Sequence, residues 1–131
     1  MNLLIAEDDP FHRSFLRTIV SRALPECGTI FEAVNGEEAL DFMEREVIGG
    51  VVMDLQMPKA SGVAAASVIW NHHPTMRILF WSNYADEAYV RGISRIVPAD
   101  AVYGYLLKTA SEHRLELAVQ GVFQEDQCVV D

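Results

Sequence analysis

Asp54 closes a short apolar run, Val51-Val52-Met53, and is followed by Leu55-Gln56-Met57-Pro58-Lys59-Ala60-Ser61-Gly62. Three other apolar runs also end in residues able to do chemistry. Leu3-Leu4-Ile5-Ala6 ends in Glu7 and Asp8, Ile78-Leu79-Phe80-Trp81 in Ser82, and Tyr105-Leu106-Leu107 in Lys108. If the runs are strands of one sheet, acids, a hydroxyl and an amine meet at one of its edges. Carboxylates gathered in one crevice raise one another's pKa unless a cation compensates. A few hard oxygen donors suit Mg2+, which keeps several waters and takes one or two carboxylates plus a phosphate; Mn2+ is the expected substitute. Lys108 adds a mobile positive charge with three donors, matched to a phosphoryl oxygen, and Ser82 a short hydroxyl donor. The set could support in-line phosphoryl transfer onto a carboxylate, with Asp54 as nucleophile and with Mg2+ and Lys108 neutralising charge on the transferring group. Pro58 and Gly62 would shape the loop that exposes Asp54 and starts the next helix.

The elements that must position these residues follow from periodicity. Leu3–Ala6 predicts a strand. Phe11, Phe15, Ile19 and Ala23 recur at helical spacing with Leu16 and Val20 beside them, Pro10 fits the first turn, and Pro25 ends the helix. Thr29–Val34 reads as a second strand. Asn35 is placed to cap the next helix, with Glu37 and Glu38 at its positive end and Ala39, Leu40 and Met43 inward. A helix is predicted from about Gly62 to His73, closed by Pro74. A strand over Met76–Trp81, a helix from about Asp86 to Ile96, and a strand over Val102–Leu107 follow. A last helix carries Leu115, Ala118, Val119 and Val122 on one face. Five βα units with near-continuous apolar strands predict an α/β fold: a flavodoxin-like (βα)5 domain, its five-stranded parallel sheet in order 2-1-3-4-5 with helices on both faces. That order puts the ligand crevice at the carboxyl ends of strands 1 and 3, which carry Asp8 and Asp54. Residues 1–124 read as one domain. Residues 125–131 read as a polar tail, frayed or the start of a linker to an output domain.

Composition bounds the function classes. The chain has 131 residues, half of them hydrophobic, enough for one packed core. A net charge of −9 and no basic stripe argue against contact with nucleic acid and permit a cation or basic partner. Cys27 and Cys128 are too few and too dispersed for a disulfide scaffold and read as free thiols. No signal peptide opens the chain and no apolar run approaches the ~20 residues of a membrane span, so no membrane contact and a cytoplasmic location are expected. His72 and His73 read as partners of a helix end rather than metal ligands, because neighbours on a helix do not face one way. Trp70 and Trp81 read as core or interface aromatics.

Glu7-Asp8, Asp54-x-x-Met57-Pro58 with Gly62, Ser82 and Tyr105-x-x-Lys108 together resemble the receiver domain of two-component response regulators, over about residues 2 to 123. The run from Gly104 to Ser111 looks most like the subgroup whose members carry a helix-turn-helix output domain. The resemblance implies that Asp54 accepts a phosphoryl group from a phosphohistidine on a sensor histidine kinase or phosphotransfer protein, and it leaves room for a homodimer. It implies Asp8 as a direct Mg2+ ligand, Glu7 as a water-mediated one, and the backbone carbonyl of Gln56 as a further ligand beside Asp54. Ser82 would bond the phosphoryl group, Tyr105 would swing inward with it, and Lys108 would pair with the phosphate. Asp9 is outside the ligand set and is placed to cap the first helix. Gln56 and Tyr84 stand where such domains tune dephosphorylation; bulky Tyr84 would restrict an attacking water and lengthen the life of the phosphoryl-aspartate. The stretch from Ser82 to Lys108 is a few residues longer than usual, with Ile96-Val97-Pro98-Ala99-Asp100 as the surplus, which puts the usual dimer surface in doubt. The implied activity is that of a phospho-acceptor, not of an enzyme. Two alternatives stand beside it. A haloacid-dehalogenase-type phosphatase needs a second acid two residues after the nucleophile, where Gln56 stands. A pseudo-receiver that is never phosphorylated has no use for the full acid set and Lys108.

Overall fold

The computed structural model describes residues 1–83 and 87–130. Its elements are β1 (Leu3–Ala6), α1 (Pro10–Ala23), β2 (Ile30–Ala33), α2 (Gly36–Arg45), β3 (Gly50–Asp54), α3 (Gly62–His72), β4 (Arg77–Ser82), α4 (Glu87–Ile96), β5 (Tyr103–Leu107), α5 (Glu112–Phe123) and β6 (Val129–Val130). The first five strands form the predicted parallel sheet in order 2-1-3-4-5. Strand and helix limits differ from the sequence reading by a residue or so, as end fraying allows. Residues 125–131, read from sequence as a tail, contribute a sixth strand: Val129 pairs with Gly104 and Val130 with Tyr105, again parallel.

Alternation along the strands divides the core in two. Leu3, Ile5, Val52, Leu79, Trp81 and Leu106 pack with Leu16, Ile19 and Val20 of α1 and Leu115, Val119 and Val122 of α5. Leu4, Ala6, Val51, Met53, Ile78, Phe80 and Tyr105 pack with Ala39 of α2, Ala65 and Ile69 of α3 and Ile93 of α4. A sheet apolar on both faces must be covered on both, which the alternating helices do.

Register levels the strand ends. Ala6 pairs with Met53, so Glu7 follows β1 at the height at which Asp54 follows Met53; Asp54 pairs with Trp81, Trp81 with Leu106 and Ser82 with Leu107. The main-chain N–H of Lys108 donates to Ser82 O at 2.7 Å, fixing the lysine one step beyond β5.

Side-chain caps begin α1, α2, α3 and α5: Asp9 accepts from Phe11 and His12 N–H groups, Asn35 from Glu38, Ser61 from Ala64 and Ser111 from Arg114. The Asp9 and Asn35 caps are those expected from the sequence. The stretch read as surplus starts at Ile96, the last residue of α4, and runs on beyond it, where Val97 N–H bonds Ile93 O and Ala101 N–H bonds Pro98 O. Trp70 is buried and donates to Met76 O. His72 lies at the end of α3, its Nδ1 3.0 Å from Val68 O, and His73 caps that end. Cys27 and Cys128 are free thiols. Among the described residues no helix is long and apolar enough to cross a membrane.

Candidate acceptor site at the carboxyl edge of the sheet

Glu7, Asp8 and Asp54 arrive from the ends of β1 and β3, and each offers a carboxylate oxygen within 4.8 Å of the others. Glu7 and Asp54 are buried, while Asp8 is exposed. They line a cavity of ≈ 230 Å3 together with Asp9, His12, Gln56, Asn83 and Lys108.

Lys108 is the counter-charge. Its Nζ lies 2.6 Å from Glu7 Oε1 and 3.7 Å from Asp54 Oδ1, so it is bonded to the first and only near the second. The other Glu7 oxygen, Oε2, accepts from Asp9 N–H at 3.0 Å. Asp54 Oδ1 accepts a long bond from Gln56 N–H at 3.3 Å. One ammonium therefore faces two buried carboxylates, and negative charge is left over. Burial, foremost, and the Glu7 charge push the Asp54 carboxyl from its ordinary 3.8 up to about 7, against the opposing pull of Lys108 and the Gln56 N–H. The three acids with uncompensated charge fit a small divalent cation such as Mg2+ in donor type and number. Both Glu7 oxygens already have partners, which suits a water-mediated role better than a direct one.

The loop behind Asp54 is built by close approach. Gly62 N–H bonds Leu55 O at 3.0 Å, and a Cβ on Gly62 would stand 2.1 Å from Asp54 O. Only glycine lets α3 start so near the end of β3. Lys59 and Ala60 take left-handed backbone, φ 53° and 83°, which is strained for residues with a Cβ. The Pro58 and Lys59 carbonyls accept from Gly36 and Glu37 N–H groups at the start of α2.

Of the residues picked from the sequence, Glu7, Asp8, Asp54, Gln56 and Lys108 share the cavity. Ser82 is fully buried at the end of β4. Tyr105 is buried in the core with Ile93 and Phe80, on the face of the sheet that alternation along β4 also gives to Ser82. Tyr84 lies outside the described residues. Sequence reasoning missed three neighbours. His12 Nδ1 is 3.3 Å from Lys108 Nζ, the Trp81 ring lies 4.9 Å from that ammonium, and Tyr89 OH accepts from Gln56 Nε2 at 2.7 Å. His12 stands in the first turn of α1, three residues past its cap, and that placement over the end of β1 was the available signal. Nothing in the sequence marks the Gln56–Tyr89 contact.

Relatives share this arrangement of fold. The sensor kinase CckA of Brucella abortus (strain 2308) is 32% identical over 127 residues, covering 94% of this chain and 12% of the kinase. The transcriptional regulatory protein DegU of Brevibacillus brevis is 28% identical over 124 residues, covering 95% of this chain and 50% of the regulator. The chain thus spans half or less of the length of these curated relatives. The isolated REC domain of RcsB from Salmonella enterica serovar Typhimurium, solved with the phosphomimetic BeF3-, has a TM-score of 0.85 at 18% identity, covering 100% of this chain and 93% of that one, a likeness of fold. The family model of the response regulator receiver domain matches residues 3–120, nearly the whole span from β1 to α5. With its sheet order, levelled strand ends and acidic cavity in agreement with that match, the chain belongs to the response regulator receiver domain family.

Proposed function

We propose that the chain accepts a phosphoryl group on Asp54 from a phosphohistidine of a sensor histidine kinase or phosphotransfer protein, and switches conformation when it does. The observation that carries this reading is a buried Asp54 facing Lys108 at 3.7 Å across a cavity shared with Glu7 and Asp8. Receiver domains are not classical enzymes; they catalyse their own phosphorylation and its hydrolysis.

An ionised Asp54 oxygen attacks phosphorus, the P–N bond to the donor imidazole breaks, and the electron pair stays on that nitrogen, which takes a proton from solvent. Mg2+, held by Asp8 and Asp54 with the Gln56 carbonyl and with Glu7 through water, would neutralise charge on the group in transfer. Lys108 turns toward the new phosphoryl oxygens. Ser82 donates its hydroxyl to one of them, and the shift of Ser82 on β4 is felt by Tyr105 on the neighbouring β5. Tyr84 slows the return by restricting water; a faster loss of the adduct in Tyr84→Ala checks that role.

The output is a further step. CckA is named a sensor kinase, DegU a transcriptional regulatory protein and ExaE of Pseudomonas putida a transcriptional activator. These names support control of transcription where a helix-turn-helix domain follows, and protein contact, including a homodimer, where none does. A cytoplasmic setting accords with donors of this kind.

Incubation with acetyl phosphate or phosphoramidate and Mg2+, then intact mass, tests the reading. One labile phosphoryl adduct is expected, absent in Asp54→Ala. No adduct would favour a pseudo-receiver, and turnover of a free phosphomonoester a phosphatase.

A further inference from the structure

The geometry points to His12 as a positioning residue that parks Lys108 away from Asp54 in the unphosphorylated chain, so that His12 opposes the switched state. The inference rests on the phospho-acceptor reading of Asp54 and adds a restraint on its counter-charge.

Lys108 Nζ is bonded to Glu7 Oε1 at 2.6 Å and stands 3.3 Å from His12 Nδ1. An ammonium only donates, so the imidazole nitrogen is the acceptor. Asp54 Oδ1, at 3.7 Å, lies beyond hydrogen-bond range. The resting ammonium thus spends two of its donors on groups other than the acceptor aspartate. Its side chain is only 7% exposed, which leaves little water to compete for it.

The imidazole is itself held. Its ring meets the Trp81 indole edge-on, centroids 5.5 Å apart at 76°. Phe15, one turn further along α1, stacks on the same indole at 6.1 Å and 24°. The Trp81 ring also lies 4.9 Å from the ammonium, within cation–π reach. Lys108 therefore rests in a niche made by Glu7, His12 and Trp81. A phosphoryl group on Asp54 draws the ammonium toward it, and the bond to His12 is the contact given up. Glu7 keeps its charge and Trp81 its face in either position. A contact present only in the resting state favours that state, so removing it favours the other.

The test uses the whole chain with Mg2+ and beryllofluoride as a phosphoryl mimic. Calorimetric affinity and the lifetime of the acetyl-phosphate adduct are measured for wild type, His12→Leu and His12→Asn. Leucine fills the space without an acceptor, whereas asparagine restores an acceptor near the place of Nδ1. His12→Leu is expected to bind the mimic roughly 3- to 10-fold more tightly and to hold its adduct longer, and His12→Asn to reverse most of the gain. A purely structural His12 would loosen binding when replaced, since a damaged site does not gain affinity. Unchanged or weaker binding in His12→Leu, or equal behaviour of the two variants, overturns the inference while Asp54 still takes a phosphoryl group in wild type. A wild type with no Asp54-dependent adduct overturns both readings.

Discussion

The carboxyl edge of the sheet and its outer edge beyond β5 are built on opposite principles. At the carboxyl edge, groups that cost free energy to bury are brought together: Glu7 is inaccessible, Asp54 nearly so, and a single lysine answers them. At the outer edge no charged group among the described residues is buried; a seat is left open for β6 by the absence of atoms. A Cβ on Gly104 would meet Leu79 Cδ1 at 2.8 Å, Val122 Cγ2 at 2.9 Å and Val129 O at 3.0 Å. One on Gly121 would meet Val129 Cγ2 at 3.1 Å. The difference teaches that one region is specified by what its side chains carry and the other by what its residues lack.

Breaking either side should separate the two. Lys108→Ala has the largest expected effect. It strands a buried Glu7 without its partner, and a loss of about 3 kcal/mol in denaturant titrations is expected, together with loss of the response to phosphorylation. Gly62→Ala follows, because main-chain atoms of Asp54 and Leu55 stand in the way and cannot swing aside. A loss of ~2–3 kcal/mol and a fall in the yield of phosphoryl adduct should appear together.

Asp54→Asn sharpens the contrast through pH. The Asp54 carboxyl is raised from 3.8 to about 7, so between those values the folded chain holds a proton that the unfolded chain has released. Native stability contributed by this group therefore falls as pH rises through that window and stays low above it. Without Mg2+, the Asp54→Asn variant should be more stable than wild type by ~1–3 kcal/mol at pH 8, with the advantage vanishing near pH 4. An advantage independent of pH would show that the carboxyl is not perturbed.

At the outer edge the smallest effect is expected. Gly121→Ala gains helix propensity in α5 and presses on a valine side chain that can give. Global stability should stay within ~0.5 kcal/mol of wild type, while hydrogen exchange at β6 rises. If β6 stays protected, the seat is looser than its distances imply.

The same contrast explains what could be read in advance. The alternation of apolar runs with helical spacing carries the five-stranded order because strand burial and helix amphipathicity are local properties of the sequence. Asp54, Asp8, Glu7 and Lys108 were visible because each ends such a run in a residue of the wrong polarity for a core. His12 was not, since its role depends on which way the first turn of α1 faces after Asp9 caps it. Tyr89 was not, because its contact with Gln56 joins α4 to the loop after β3 across 33 positions. β6 was read as a tail because two valines in a polar stretch carry no period; their place is set by Gly104 and Gly121, which in sequence look like ordinary glycines.

β6 also reverses the direction in which the chain departs. α5 brings the chain back to the amino edge of the sheet, where Phe123 crowds Gly50, the first residue of β3. A chain leaving there would exit at the pole opposite Asp54. Instead Asp126 turns the backbone with φ 55°, Gln127 N–H ties back to Gly121 O, and Val129–Val130 run parallel to β5. Val130 is level with Tyr105, three positions before Lys108 on the neighbouring strand, or about 10 Å along it. Any polypeptide joined after this strand would be tethered on the side of Asp54, with a lever arm of a few residues rather than the full height of the domain.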